Sequence, residues 1–394
     1  MLTQSKLLQV ILAAVALAMS GQRASAQDKP APVKADTLIQ KDTPWTGTPR
    51  VPAATPPDAL LLKDFRPTAL YNIPETTVAK GRFPVIDMHS HPYAKTAEQV
   101  DQWVRTMDDV GVEKTIVLTG ATGKQFDEIV ARFQKQRHRF SLWCGFDLTG
   151  YDRPGFGPAA VAELERCWQT GAQGVGELAD KGKGLVFGTS QALGMHMDDP
   201  RLEPLLKKCG ELGLPINIHV AEPIWMYQPM DRHNDGLMNA FKWRLDNQPD
   251  ILGHAEMIDT LERAVKKHPH TMFVACHFAN CCYDLEKLGV LFERYPNLGA
   301  DIGARYAETA ATPRHTARFF EKYQDRLLYG TDMGLDAAMY RMTFRILETD
   351  DEHFYDWRLF SYHWPLHGFA LSDAVLKKVY RDNALKILAK VKPR

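Results

Sequence analysis

The sequence carries no surplus charge of either sign and no long basic run. Lys and Arg together number 48, as do Asp and Glu. Nucleic acid and anionic membranes are bound by clustered Lys and Arg, so neither is expected as a partner. Long apolar stretches are also missing. The N-terminal run Leu7–Met19 has 13 residues, too few to cross a bilayer comfortably. Cysteine is sparse, with six in 394 residues. No C-x-x-C pair occurs, which speaks against a zinc knuckle and a thioredoxin-type motif. The even count permits disulfides in an exported chain. However, several of Cys144, Cys167, Cys209, Cys276, Cys281 and Cys282 sit in apolar runs, as buried free thiols do. Finally, no Gly-rich phosphate turn follows the first predicted strand, which argues against a doubly wound nucleotide-binding sheet.

What is present begins with Lys6, the apolar run, and Ala24-Ser25-Ala26, a small-x-small motif. This is the pattern of a signal peptide, residues 1–26. It predicts a periplasmic or secreted mature protein with no stable membrane association. Residues 27–58 are rich in Pro, Thr, Ala and Lys and read as an extended linker or arm. The remainder, 59–394, reads as one catalytic domain. Hydrophobic residues make up 45% of the chain and charged residues 24%, an ordinary globular balance with enough apolar surface for a large core.

Eight short β-branched or apolar runs alternate with helical stretches: Pro84–His89, Glu113–Thr119, Ser141–Asp147, Gln173–Leu178, Pro215–His219, Thr271–Cys276, Leu298–Ile302 and Arg326–Tyr329. Between them the apolar period is helical, as at Leu202, Leu205, Leu206 and Cys209. The alternation predicts an α/β fold, a (β/α)8 TIM barrel with a Pro-rich N-terminal arm. Spacing agrees. His89 and His219 lie 130 residues apart, about 32 per unit over four units, against roughly 31 in a typical barrel. His219 and His277 are 58 apart, an excess of roughly 27 over one unit. An insertion is therefore expected after strand five, near Glu222 to Asp250. A second is expected after strand eight, from Met333 to about His367.

The sharpest chemical signal is Asp87-Met88-His89-Ser90-His91. Residues two apart in a strand face one side, so His89 and His91 are expected to project together. Asp87 has the same parity and is expected to orient a histidine from behind. His219, His277 and Asp332 each end or follow a different apolar strand. In a barrel such ends converge at one mouth. Imidazoles with a carboxylate suit one divalent ion, zinc first, with iron or manganese as alternatives. Arg305 follows the seventh strand at the same mouth, where a guanidinium is suited to a substrate carboxylate or to a surface salt bridge.

These stretches, V-I-D-M-H-S-H, L-P-I-N-I-H, F-V-A-C-H-F-A-N, L-L-Y-G-T-D and Y-R-D-N-A-L-K-I-L, resemble the amidohydrolase superfamily from about Phe83 to Leu388. The resemblance is to the amidohydrolase-2 branch, which includes aminocarboxymuconate-semialdehyde decarboxylase, resorcylate-type decarboxylases and assorted hydrolases. It implies metal ligation by His89, His91, His219 and Asp332, and a His277 that binds or deprotonates the metal's water. Catalytic roles thus fall to His277 and Asp332. Glu177 ends the fourth strand. There it either contacts substrate or ligands from behind, or ligates a second metal as in the TatD-like nucleases. The former is favoured, because the branch is usually mononuclear.

The expected partner is a small molecule. Aromatics in the two insertions, Trp225, Tyr227, Phe241 and Trp243, then Phe354, Tyr355, Trp357, Phe360, Tyr362 and Trp364, suit an apolar pocket, the packing of the insertions, or a homodimer contact. His254, His363 and His367 read as structural. Three functions compete. The first is a metal-dependent hydrolase. The second is a non-oxidative decarboxylase of an aromatic or unsaturated acid. The third is a non-catalytic binding barrel, against which the intact His and Asp set speaks.

Overall fold

All eight predicted strands form, each followed by a helix of ten residues or more. The computed structural model describes residues 55–187 and 190–394. The expected signal peptide and most of the expected arm therefore lie outside the described residues. The strands are β1 Val85–Ser90, β2 Val112–Leu118, β3 Phe140–Trp143, β4 Val175–Asp180, β5 Leu185–Phe187, β6 Ser190–Gln191, β7 Ile216–Val220, β8 Phe273–Ala275, β9 Leu298–Asp301 and β10 Leu327–Leu328. The helices are α1 Ala97–Val110, α2 Gly123–Phe133, α3 Phe156–Thr170, α4 Glu203–Leu212, α5 His254–Lys267, α6 Leu285–Arg294, α7 Pro313–Lys322 and α8 Ala337–Glu348. Leu62–Arg394 packs as one unit. No described helix is long and apolar enough to cross a membrane.

The elements follow from local chemistry. In α1, Thr96 accepts a bond from the Gln99 N–H at 3.3 Å, an N-cap. Gly111 closes the helix with a left-handed φ of 84°. Val100, Trp103, Met107 and Val110 form the buried stripe of α1, and each is worth about 1.5–3 kcal/mol when fully withdrawn from water. Trp103 meets Phe140 of β3 edge-on, with ring centroids 5.0 Å apart.

The eight predicted strands run parallel in two ladders, β1-β2-β3 and β10-β9-β8-β7-β4, the second extended by the antiparallel β5 and β6. The architecture is an α/β barrel. Ile86, Met88, Ile116, Leu118 and Trp143 from the first ladder share one buried cluster with Val274 and Leu328 from the second. Backbone bonds also link the ladders. The Cys144 N–H donates to Gly174 O at 3.0 Å, and the Met88 N–H donates to Tyr329 O at 2.9 Å.

Three features of the strand and loop pattern bear on the site. The β5–β6 hairpin was not expected. It is launched by Gly182 and Gly184, both at φ 106°, while the Asp180 carboxylate accepts both of their N–H groups. The stretch between β7 and α5 holds only short helical turns, Ile224–Tyr227, Leu237–Ala240 and Phe241–Trp243, as an insertion there requires. In the long segment expected after β10, α8 occupies the first half.

All six cysteines are free thiols, five of them buried. The place where the ladders meet leaves little room. A Cβ on Gly174 would lie 2.3 Å from Trp143 Cδ2. Gly174→Ala should therefore lower stability by about 1–3 kcal/mol, the scale of overpacking, in urea denaturation. An unchanged midpoint would contradict this packing.

Candidate metal centre

The carboxyl ends of β1, β7, β8 and β10 bring His89, His91, His219, His277 and Asp332 together, and Glu177 joins them from within β4, which runs on to Asp180 and does not end at Glu177 as expected. Strict alternation fails at the end of β1, whose pairing with β2 shifts register between Asp87 and Ser90. Ile86 and Met88 both enter the inner cluster, yet His89 also turns into the site. At β8 the chain leaves its strand through His277, Phe278, Ala279 and Asn280, all left-handed with φ of 52–60°. Asp332 is left-handed as well, at φ 66°. Such conformations cost non-glycine residues about 1–2 kcal/mol each and are retained where function needs the geometry.

Each of the four imidazoles has its Nδ1 against an acceptor. His89 Nδ1 lies 2.9 Å from Asp301 Oδ2, His91 Nδ1 3.2 Å from Leu118 O, His219 Nδ1 2.8 Å from Glu177 Oε1, and His277 Nδ1 2.8 Å from Gly303 O. In the neutral rings the proton is thus assigned to Nδ1, and four Nε2 lone pairs remain. His89 Nε2 and His219 Nε2 are buried with no hydrogen-bond partner. His91 Nε2 faces carboxylates on both sides, Asp332 Oδ1 at 3.1 Å and Glu177 Oε2 at 3.3 Å. A space lined by lone pairs and carboxylates fits a divalent cation, and histidines that donate their other N–H backwards are the usual ligands.

The electrostatics agree. Burial penalises a charged His89, but Asp301, Asp332 and Glu177 outweigh it and raise its pKa to about 9. Burial also opposes ionisation of Glu177 and Asp332, yet the surrounding histidines hold both carboxyls well below their ordinary range. His277 behaves differently. Burial, with His89, Arg305 and His219 adding to it, holds its pKa below the ordinary 6.5.

The ligand atoms of His89, His91 and Asp332 fall within 4.8 Å of one another. His219 reaches the group through Glu177. Glu177 is more central than its sequence context suggests: one oxygen faces His91 and the other His219. It also groups with His89, Cys276 and His277 within 4.8 Å. Asp87 departs from expectation. It holds the backbone of His89 rather than its ring, accepting the His89 and Thr331 N–H groups and the Thr331 and Tyr340 hydroxyls. The register shift turns it away from the imidazole, and burial raises its pKa to about 6.

Arg305 lines the mouth, but it is buried and is not a surface salt bridge. Its Nε donates to Asn280 Oδ1 at 2.8 Å. The aromatics of the two insertions pack together, Tyr362 on Trp364 at 4.2 Å and Trp225 against Trp364 at 6.0 Å. Trp243, Phe360 and Tyr362 also line a cavity of about 270 Å³ that opens onto His219, His277 and Asp332. His254 is structural, bonded through Nε2 to Asn280 O.

Asp301 is the residue that sequence reasoning missed. Completely buried, it accepts from the His89 ring, from Asn217 Nδ2 at 3.0 Å, and from the N–H groups of His277 and Gly303. Its signal was its place at the end of the run Leu298-Gly299-Ala300-Asp301, the same place that marked His219 and His277. Lys181 and Glu222, which follow β4 and β7 into the mouth, were missed as well. Asp301→Asn should weaken metal binding about 10–100-fold, as loss of a partner behind a ligand does, measured by competition with a chromogenic chelator. Unaltered affinity would remove Asp301 from this role.

No curated protein sequence matches the chain. Among solved structures, a TIM-barrel protein of Bordetella bronchiseptica is 16% identical with a TM-score of 0.50, covering 78% of this chain and 99% of its own. A Staphylococcus aureus chain assigned as an amidohydrolase is 14% identical with a TM-score of 0.51, covering 78% and 100%. A 2,6-dihydroxybenzoate decarboxylase from Rhizobium is 16% identical with a TM-score of 0.48, covering 78% and 99%. The amidohydrolase family model matches residues 86–390, most of the chain. The chain belongs to the amidohydrolase-2 family of metal-dependent enzymes.

Proposed function

We propose that the chain is an exported, zinc-dependent hydrolase acting on an ester, amide, lactone or related bond of a small organic substrate. The barrel is taken as closed, a reading supported by the two backbone links between the ladders. Export rests on the N-terminal apolar run and its small-x-small motif. His89, His91, His219 and Asp332 are the assigned ligands of a single ion, and Glu177 positions His219 behind it. The histidine-rich donor set favours zinc.

A bound divalent cation supplies Lewis acidity and lowers the pKa of a coordinated water toward about 7. This chain's residues do the rest. His277 carries the argument: its Nδ1–H is pinned to Gly303 O, and its buried ring favours the neutral state. Nε2 is therefore a base aimed into the site, suited to take the water's proton. The protonated His277 can then return that proton to the leaving group, or Asp332, whose Oδ1 is turned to His89 and His91, can pass it on through its other oxygen.

Decarboxylation of an aromatic acid is the second reading, favoured by the placement of Arg305 in the same mouth. A panel of aryl esters, lactones and aromatic acids separates the two. The hydrolase reading expects water-dependent cleavage. Carbon dioxide release from the acids, with esters and lactones untouched, would transfer the assignment to decarboxylation.

His277→Asn should cut kcat by about 10²–10⁴ while metal content is unchanged. Because the His277 pKa lies below its ordinary 6.5, the base is fully present above pH 6.5 and is lost as pH falls through the lowered value. The wild-type rate should fall on that acid limb, and the limb should be missing in His277→Asn. A variant with wild-type kcat would dismiss His277 as the base.

A further inference from the structure

Three strand ends other than those of β1 and β10 deliver charge to the cavity beside the metal residues. Lys181 follows β4, Glu222 follows β7 and Arg305 follows β9. Glu222 Oε1 pairs with Lys181 Nζ. Its Oε2 lies 3.5 Å from Arg305 Nη2 and 3.6 Å from His219 Nε2. Arg305 has two further polar partners, Asn280 Oδ1 and Ala304 O. Among the described residues, Nη2 has Glu222 as its ion-pair partner, at a distance too long for a hydrogen bond.

The other nearby carboxyl is Glu308. It accepts the Tyr362 hydroxyl at 2.7 Å and stands 3.9 Å from Arg305 Nη1. Burial pushes its pKa above the ordinary range despite Arg305. Lys181 and Arg305 thus converge on one short-range carboxylate, Glu222. Lys181 stands half-exposed at the rim with Trp243 5.9 Å away, so the subsite has an apolar flank and an opening. The cavity, about 270 Å³, admits a small substrate.

Resting on the assignment of this cavity as the active site, we infer that Lys181 and Arg305 form a subsite for one substrate carboxylate. Glu222 holds that subsite and yields it when substrate enters. A carboxylate that bridges the two cations gains charge-assisted bonds that Glu222 makes poorly to Arg305. With Glu222 still beside it, the subsite favours one negative charge over two. Glu222 is thus a specificity-determining residue and Lys181 a binding residue.

Titration calorimetry of the zinc-loaded full chain tests this with benzoate, isophthalate and neutral benzamide as probes. Wild type should bind benzoate more tightly than isophthalate. Lys181→Met should weaken benzoate about tenfold, the scale of one charge-assisted hydrogen bond, and leave benzamide unmoved. Glu222→Gln, isosteric and therefore safe for folding, should tighten benzoate and narrow its margin over isophthalate.

Benzoate affinity indifferent to both substitutions would overturn the inference. So would binding that vanishes on zinc removal yet ignores Lys181→Met, since the carboxylate would then sit on the metal. The hydrolase reading fails separately, as missing turnover with these binding shifts intact.

Discussion

Four imidazoles that point their lone pairs into one space cannot be stable neighbours of two carboxylates unless something positive lies between them. That constraint organises the rest of the molecule. Each Nδ1–H is tied to a different acceptor, Asp301, Leu118 O, Glu177 or Gly303 O, and these acceptors come from three different strands, β2, β4 and β9. Only a fold that gathers several strand termini at one mouth supplies them together. Asp301, Asp332 and Glu177 hold the pKa of His89 at about 9 despite its complete burial.

The backing of the site is as specific as its lining. Asp301 joins the His89 ring, the Asn217 amide and the backbone of His277 and Gly303 in one buried network. Cys276 Sγ extends it, donating to Asn217 Oδ1 at 2.8 Å. A buried carboxylate is tolerable only when its lone pairs are satisfied, and here four donors do so. The left-handed run from His277 to Asn280 is the conformational cost of aiming His277 at the metal space and Asn280 at Arg305. The charged groups proposed to meet substrate, Lys181, Glu222 and Arg305, follow β4, β7 and β9. Specificity can therefore vary there without disturbing the ligands.

Much of this was legible in the sequence because barrel strands and metal ligands obey simple periodicities. The eight strands were readable from apolar runs, and His89, His91, His219, His277 and Asp332 from their places at strand ends. What escaped has physical reasons. Asp301 occupied the same kind of position, but an aspartate after Gly-Ala reads equally well as a strand cap. Asp87 was assigned to the imidazole by alternation, which the register shift at the end of β1 breaks. The β5–β6 hairpin depends on two glycines and a buried carboxylate, a tertiary arrangement with no repeat to detect. Lys181, Glu222 and Arg305 meet only because three loops converge, and one-dimensional spacing says nothing of where a loop's side chains point. The left-handed stretch at His277 contains no glycine, so nothing in its residue types announced it.

The central claim is that these residues hold one divalent ion. Metal content per chain, measured by plasma mass spectrometry on purified protein never exposed to chelator, tests it most directly. The account predicts about one equivalent, zinc foremost. Two equivalents would contradict the single-ion assignment and turn Glu177 from a positioning residue into a bridging ligand, while folded protein with no metal would contradict the site itself.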